Sequence, residues 1–99
     1  MGYSWSIVDV YHSDRGADLE IDCLVEITRD RCTIKYDDEN GVYWVWEGEN
    51  LGSGYYVSKA NRKGCQATLH RIKDSIYLEG FWKELGHHGM WRIRLKDKR

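Results

Sequence analysis

The chain has 99 residues, enough for one hydrophobic core, so a single domain over residues 1–99 is expected. Its 15 basic and 16 acidic residues leave a formal net charge of −1, which gives no global pull toward a nucleic-acid polymer. There is no signal peptide, no lipidation motif and no apolar run near the roughly 18 residues of a membrane span, so this chain is expected not to insert into a bilayer by itself.

In chain order, Tyr3 to His12 predicts a first strand in which Trp5 and Ile7 hold one parity and Val8 and Val10 the other. Either both faces are covered there or a bulge shifts the register. Ser13 to Ala17 is a turn. Leu19 to Thr28 is a strand with Leu19, Ile21, Cys23, Val25 and Ile27 on one face and a mostly polar opposite face. Arg29-Asp30 turns into Cys32, Ile34 and Tyr36, and the Asn40-Gly41 pair favours a hairpin turn with positive φ. Val42 to Glu47 is aromatic-rich, and Gly48 to Gly54 reads as a polar, glycine-rich connection. Tyr55 to Ala60 is the fifth strand, followed by a turn over Asn61 to Gly64.

The last third is the clearest part. Cys65, Ala67 and Leu69 alternate with polar neighbours, then Ile76, Leu78, Gly80 and Trp82, then Trp91, Ile93 and Leu95. Lys73-Asp74-Ser75 and Gly86-His87-His88-Gly89 supply the turns. Eight short segments with local turns, no helical periodicity and no proline predict an all-β fold: a single eight-stranded antiparallel up-and-down β-barrel. Closure removes exposed edges, and a barrel of that size holds side chains or one small ligand.

Three cysteines spaced 9 and 33 residues apart match no CxxC or zinc-knuckle pattern. Cys23, Cys32 and Cys65 all take inward parity. A hairpin closed by Thr28–Arg31 sets Cys23 opposite Tyr36, so Cys23 and Cys32 are not partners. Reduced thiols in a cytoplasmic chain follow. His87-His88 would point apart on a strand, and read as exposed turn residues rather than metal ligands. No nucleophile elbow, phosphate loop or dinucleotide fingerprint is present, so no catalytic residue, metal or cofactor is assigned.

Charge is divided unevenly. Residues 1–50 carry 12 acids and 4 bases, whereas residues 51–99 carry 4 acids and 11 bases. One reading is that acidic and basic strands neighbour one another once folded. The sharper readings are a basic surface that receives an anion, or two complementary poles that associate. Trp44, Trp46, Trp82 and Trp91 share the inward face, where rings fill a small barrel or, near an open end, form a stacking platform. Arg71 continues the inward parity of Cys65, Ala67 and Leu69. In a meander, Trp46, Tyr55, Arg71 and Trp5 fall at strand ends on one side of the barrel, a candidate mouth for an anionic planar ligand such as a nucleotide.

The pattern Ala67-x-Leu69, Leu78-Glu79-Gly80-x-Trp82, Gly89-x-Trp91-x-Ile93-x-Leu95 resembles small calycin-like barrels. Among them it is most similar to the β-barrel sensor domain of CD-NTase-associated membrane effectors. That resemblance implies a non-enzymatic sensor of a cyclic nucleotide messenger in antiphage signalling. The sequence departs from such domains in showing no pair of transmembrane helices ahead of the barrel, so a soluble or excised relative or a different calycin-like barrel is expected, and the motif transfers no binding residue. The alternative is a protein-interaction or self-assembly domain that uses Tyr77, Phe81, Arg92 and Arg94 on an outer strand face, with a homo-oligomer as one outcome. A small barrel enzyme without a legible site is the third.

Overall fold

Side chains on a strand alternate between its two faces, so each alternating segment can bury one face and solvate the other. The computed structural model, which describes residues 2–96, contains eight such strands. They are β1 (Gly2–His12), β2 (Ala17–Ile27), β3 (Arg31–Asp37), β4 (Tyr43–Gly52), β5 (Tyr55–Ala60), β6 (Gln66–His70), β7 (Tyr77–Glu84) and β8 (His87–Arg94). Each pairs antiparallel with the next, and β1 closes the barrel against β8 in a register running from Ile7↔Arg94 to His12↔Gly89. No helix of the described residues is long and apolar enough to cross a membrane. The turns after β1, β3, β5 and β7 define one end, here the upper end. The turns after β2, β4 and β6 define the lower end.

The inward faces meet in one core. Trp46, Trp91, Ile34, Leu69, Leu78, Ile93 and Val8 are its fully buried large side chains, and Trp44 and Trp82 join them. The four inward tryptophans predicted by alternation are therefore all inside. Two of them explain the Gly-x-Trp repeat. Antiparallel pairing sets Gly80 opposite Trp91 and Trp82 opposite Gly89, so each ring has a glycine across from it. A Cβ at Gly80 would overlap the Thr68 carbonyl oxygen, which also accepts the Trp91 indole N–H at 3.1 Å. A Cβ at Gly89 would overlap the Tyr11 carbonyl oxygen and lie 2.7 Å from the Trp82 ring. The motif is thus a packing device. Gly80→Ala and Gly89→Ala are each expected to lose about 1–3 kcal/mol through forced overlap, read by urea unfolding. Wild-type midpoints in both variants would refute this account of the repeat.

Four expectations need correction. The segment from Gly48 is not a loop: β4 runs on to Gly52, with Gly48 paired to Cys32 on one side and Ser58 on the other. Glu49 faces out, Asn50 is half-buried and donates to the Arg29 carbonyl, and only Ser53 and Gly54, both at positive φ, form the turn. Trp46 therefore does not end its strand. His87 and His88 lie on β8 rather than in the turn, which is Leu85-Gly86 with Gly86 at φ 76°. Ile76 is exposed ahead of β7 instead of lining the core.

Leu19 is the fourth correction. It is exposed, because a bulge separates it from the inward residues of its strand. The mixed parity of β1 resolves through register shifts between Tyr3/Ser6 and Val8/Val10, which leave Ser6 and Val8 inside and Trp5 outside. Cys23, Cys32 and Cys65 are free and buried.

Candidate functional site

The upper end opens into a recess of about 350 Å³. Its position follows from strand parity. His12 continues the inward series of Val8 and Val10, Tyr36 and Asp38 continue Cys32 and Ile34, and Glu84 continues Leu78, Gly80 and Trp82. Asp18 arrives by a different route. Val8 pairs with Ile21 but Val10 pairs with Asp18, so Leu19 and Glu20 together oppose Asp9. Glu20 takes φ 57° and donates its N–H to Asp9 Oδ1 at 2.7 Å. Such a bulge re-aims the side chains beyond it: Leu19 turns out and Asp18 turns into the mouth, 2.9 Å from His12 Nε2.

Trp82, Trp44 and Tyr36 wall the recess. The His12 ring meets Trp82 edge-on at 5.2 Å. Trp44 stacks on Trp46 at 5.7 Å and Trp46 packs on Trp91 at 5.1 Å, which joins the mouth to the core. Burial pushes the Tyr36 hydroxyl well above its ordinary range. The Trp46 indole N–H lies beside it and partly opposes that shift, without meeting the geometry of a hydrogen bond.

The carboxylates of the recess differ in their partners. Asp18 is engaged by His12, and Glu39 faces Arg15 at 3.6 Å. Asp38 caps its own turn, accepting from Asn40 N and Val42 N at 2.9 Å and from Trp44 Nε1 at 3.0 Å. Burial raises its pKa, but these three bonds outweigh burial and hold the carboxyl below the usual range. The Glu84 side chain is half-buried and has no hydrogen bond or ion pair among the described residues. Its pKa is raised, by burial first, with Asp38 adding to the rise and His87, His12 and Arg62 opposing it. Among the described residues no three His, Cys, Asp or Glu side chains converge as metal ligands.

The residues singled out for an anionic mouth lie apart. Tyr55 and Arg71 both lie at the lower end, where the Arg71 N–H donates to the Gly54 carbonyl at 2.9 Å and Arg71 Nε to the Ser75 carbonyl at 2.7 Å. Tyr55 stacks on His70 at 4.7 Å. Arg71 is close enough to the interior to lower the pKa of Cys32 and Tyr56 against their burial. Trp46, however, is only 1% exposed inside the core, and Trp5 is 67% exposed on the outer surface.

The outer-face residues are brought together. Tyr11, Met90 and Phe81 form one exposed cross-strand row. Two residues further along each strand, Asp9, Arg92 and Glu79 lie in register past Gly80 and Trp91, and Arg92 holds Glu79 at 3.5 Å while covering the Tyr77 ring at 3.9 Å. A shallow groove of about 300 Å³ runs between Leu19 and Arg94.

Sequence parity places Arg71 inward at the lower end and does not by itself single out the upper recess. The parity that carried Arg71 inward applies equally to His12, Tyr36 and Glu84, and only Asp18 required knowledge of the bulge. Comparison of the chain with protein-family models, with curated proteins and with solved structures finds no match.

Proposed function

We propose that the chain is a non-enzymatic barrel that binds a small molecule in the upper recess. The observation that supports this best is a half-buried Glu84, without a hydrogen bond or ion pair to its side chain among the described residues, in a recess walled by Tyr36, Trp44 and Trp82. Rings with a few placed polar groups are the usual makeup of ligand sites, and a volume of 350 Å³ sits at the small end of the roughly 300–1,000 Å³ such sites span. Three free, buried thiols fit a reducing compartment such as the cytoplasm.

A cyclic nucleotide messenger, with its phosphates, is poorly matched to a recess lined by Asp18, Asp38, Glu39 and Glu84. In this reading a nucleotide would use the lower end, with Arg71 as its cation and Tyr55 as its ring. The second reading, an interaction surface, is favoured by the contiguous Tyr11, Met90 and Phe81 row.

A thermal-shift screen with organic amines, amidines and cyclic dinucleotides tests these readings together. The expected result is stabilisation by a compound whose effect disappears in Trp44→Ala and survives in Arg71→Ala. A cyclic dinucleotide whose effect vanishes in Arg71→Ala would move the site to the lower end. No stabilising compound, with a concentration-dependent oligomer abolished by Phe81→Ser, would establish the interaction surface instead.

A further inference from the structure

The charge of the recess points to the chemical class of its ligand, an inference that rests on the small-molecule reading above. Of its carboxylates, Asp18, Asp38 and Glu39 already have donors within the molecule, and Glu84 alone among the described residues does not. Burying a carboxylate without a donor is costly, and a positively charged hydrogen-bond donor removes that cost. The protein's own side chains show where such a charge rests. Arg62, on the turn between β5 and β6, is exposed, yet its guanidinium lies over the Trp44 ring at 4.9 Å from the centroid. It is also near enough to Asp38 and Glu84 to lower the pKa of both. A cation–π contact next to a carboxylate is the recognition pattern for organic cations. Here it is filled by a surface arginine on a turn, which can swing out.

We infer that the upper recess binds a small organic cation, an amidinium, guanidinium or ammonium on a flat or apolar body, with Glu84 as its counter-ion and the Trp44 ring as its platform in the place held by Arg62. His12, His87 and Arg15 also line the recess, and its four carboxylates outnumber them. A neutral ligand of the same shape would gain the rings and leave Glu84 without a counter-charge.

Benzamidine and its neutral isostere benzamide are the probes. Binding is followed through the indole N–H resonance of Trp44, assigned by its loss in Trp44→Phe, in the full chain at neutral pH. Benzamidine is expected to shift that resonance saturably, and benzamide to bind at least roughly tenfold more weakly, the scale of a lost charge-assisted contact. Glu84→Gln should weaken benzamidine by a similar factor and leave benzamide unchanged. Arg62→Ala should strengthen benzamidine, because it clears the Trp44 ring. Equal binding of the two probes, or a Glu84→Gln affinity for benzamidine within twofold of wild type, overturns the cation assignment while leaving a small-molecule recess in place. Failure of both probes to move the Trp44 resonance overturns the recess reading as well. Fold is checked independently in each variant from its dispersed β-strand amide resonances.

Discussion

Trp46→Ala is expected to cost about 3–5 kcal/mol of unfolding free energy, the range for removing a fully buried large aromatic side chain. Trp46 is 1% exposed, and its ring is held between Trp44 and Trp91 with centroids 5.7 and 5.1 Å away. The barrel cannot collapse into the gap, because its walls are strands fixed on both sides by backbone pairing, including Trp46 itself to Ile34 and Ala60. The loss is large beside the ~5–15 kcal/mol stability of an ordinary domain. Trp46→Phe should cost much less. The indole N–H has no hydrogen-bond partner among the described residues, so phenylalanine gives up volume but no bond. Urea unfolding of both variants provides the comparison. A Trp46→Ala loss below about 1 kcal/mol would mean that the ring is not the centre of the packing. Equal losses in the two variants would mean that its N–H is bonded after all.

Stability should also fall steeply in alkali. Cys23 and Cys32 are buried, and burial pushes each thiol from 9.0 up to about 12. For Cys23 the neighbouring Asp22 and Cys32 add to the shift, whereas for Cys32 the Arg71 charge partly offsets it. In the unfolded chain both thiols ionise near their ordinary value, so above pH 9 the folded state holds protons that the unfolded state has lost. The sign is therefore unambiguous: their contribution is intact below pH 9 and is lost progressively as pH rises toward 12. Each thiol should remove about 1.4 kcal/mol per pH unit in that window, so the pair accounts for about 5 kcal/mol by pH 11. Tyr36, whose hydroxyl is also raised by burial, acts in the same direction at higher pH. Equilibrium unfolding from pH 8 to 11 on wild type and on Cys23→Ala/Cys32→Ala isolates the thiols. The double variant starts less stable and should decline much less steeply. Parallel declines would show that the thiols ionise freely in the folded protein.

Much of this architecture was legible because alternation is local. Runs such as Cys65–Leu69 and Trp91–Leu95 declare an inward face from neighbouring residues alone, and the barrel must obey them or expose its core. The mutual exclusion of Cys23 and Cys32 followed from the same reasoning, through a hairpin turn that fixes the register. The sequence by itself also determined that Gly80 and Gly89 accompany Trp82 and Trp91, but not why. Only pairing of β7 with β8 sets each glycine across from the other strand's ring.

Tertiary structure decided the rest. The polar stretch Gly48–Gly52 became strand because β3 and β5 flank its start and β5 pairs its backbone through to Gly52, which composition does not reveal. Leu19 lost its place in the core, and Asp18 gained one in the mouth, because β1 and β2 come into register with an extra residue on one side. The recess itself assembles His12, Asp18, Asp38 and Glu84 from positions at or beside the ends of β1, β2, β3 and β7, and Arg62 reaches Trp44 from the turn between β5 and β6. Their charges become neighbours only when β1 pairs with β8 and closes the barrel. Side-chain direction is set by the two or three residues on either side, but the neighbours a charge meets are set by contacts far away in the chain.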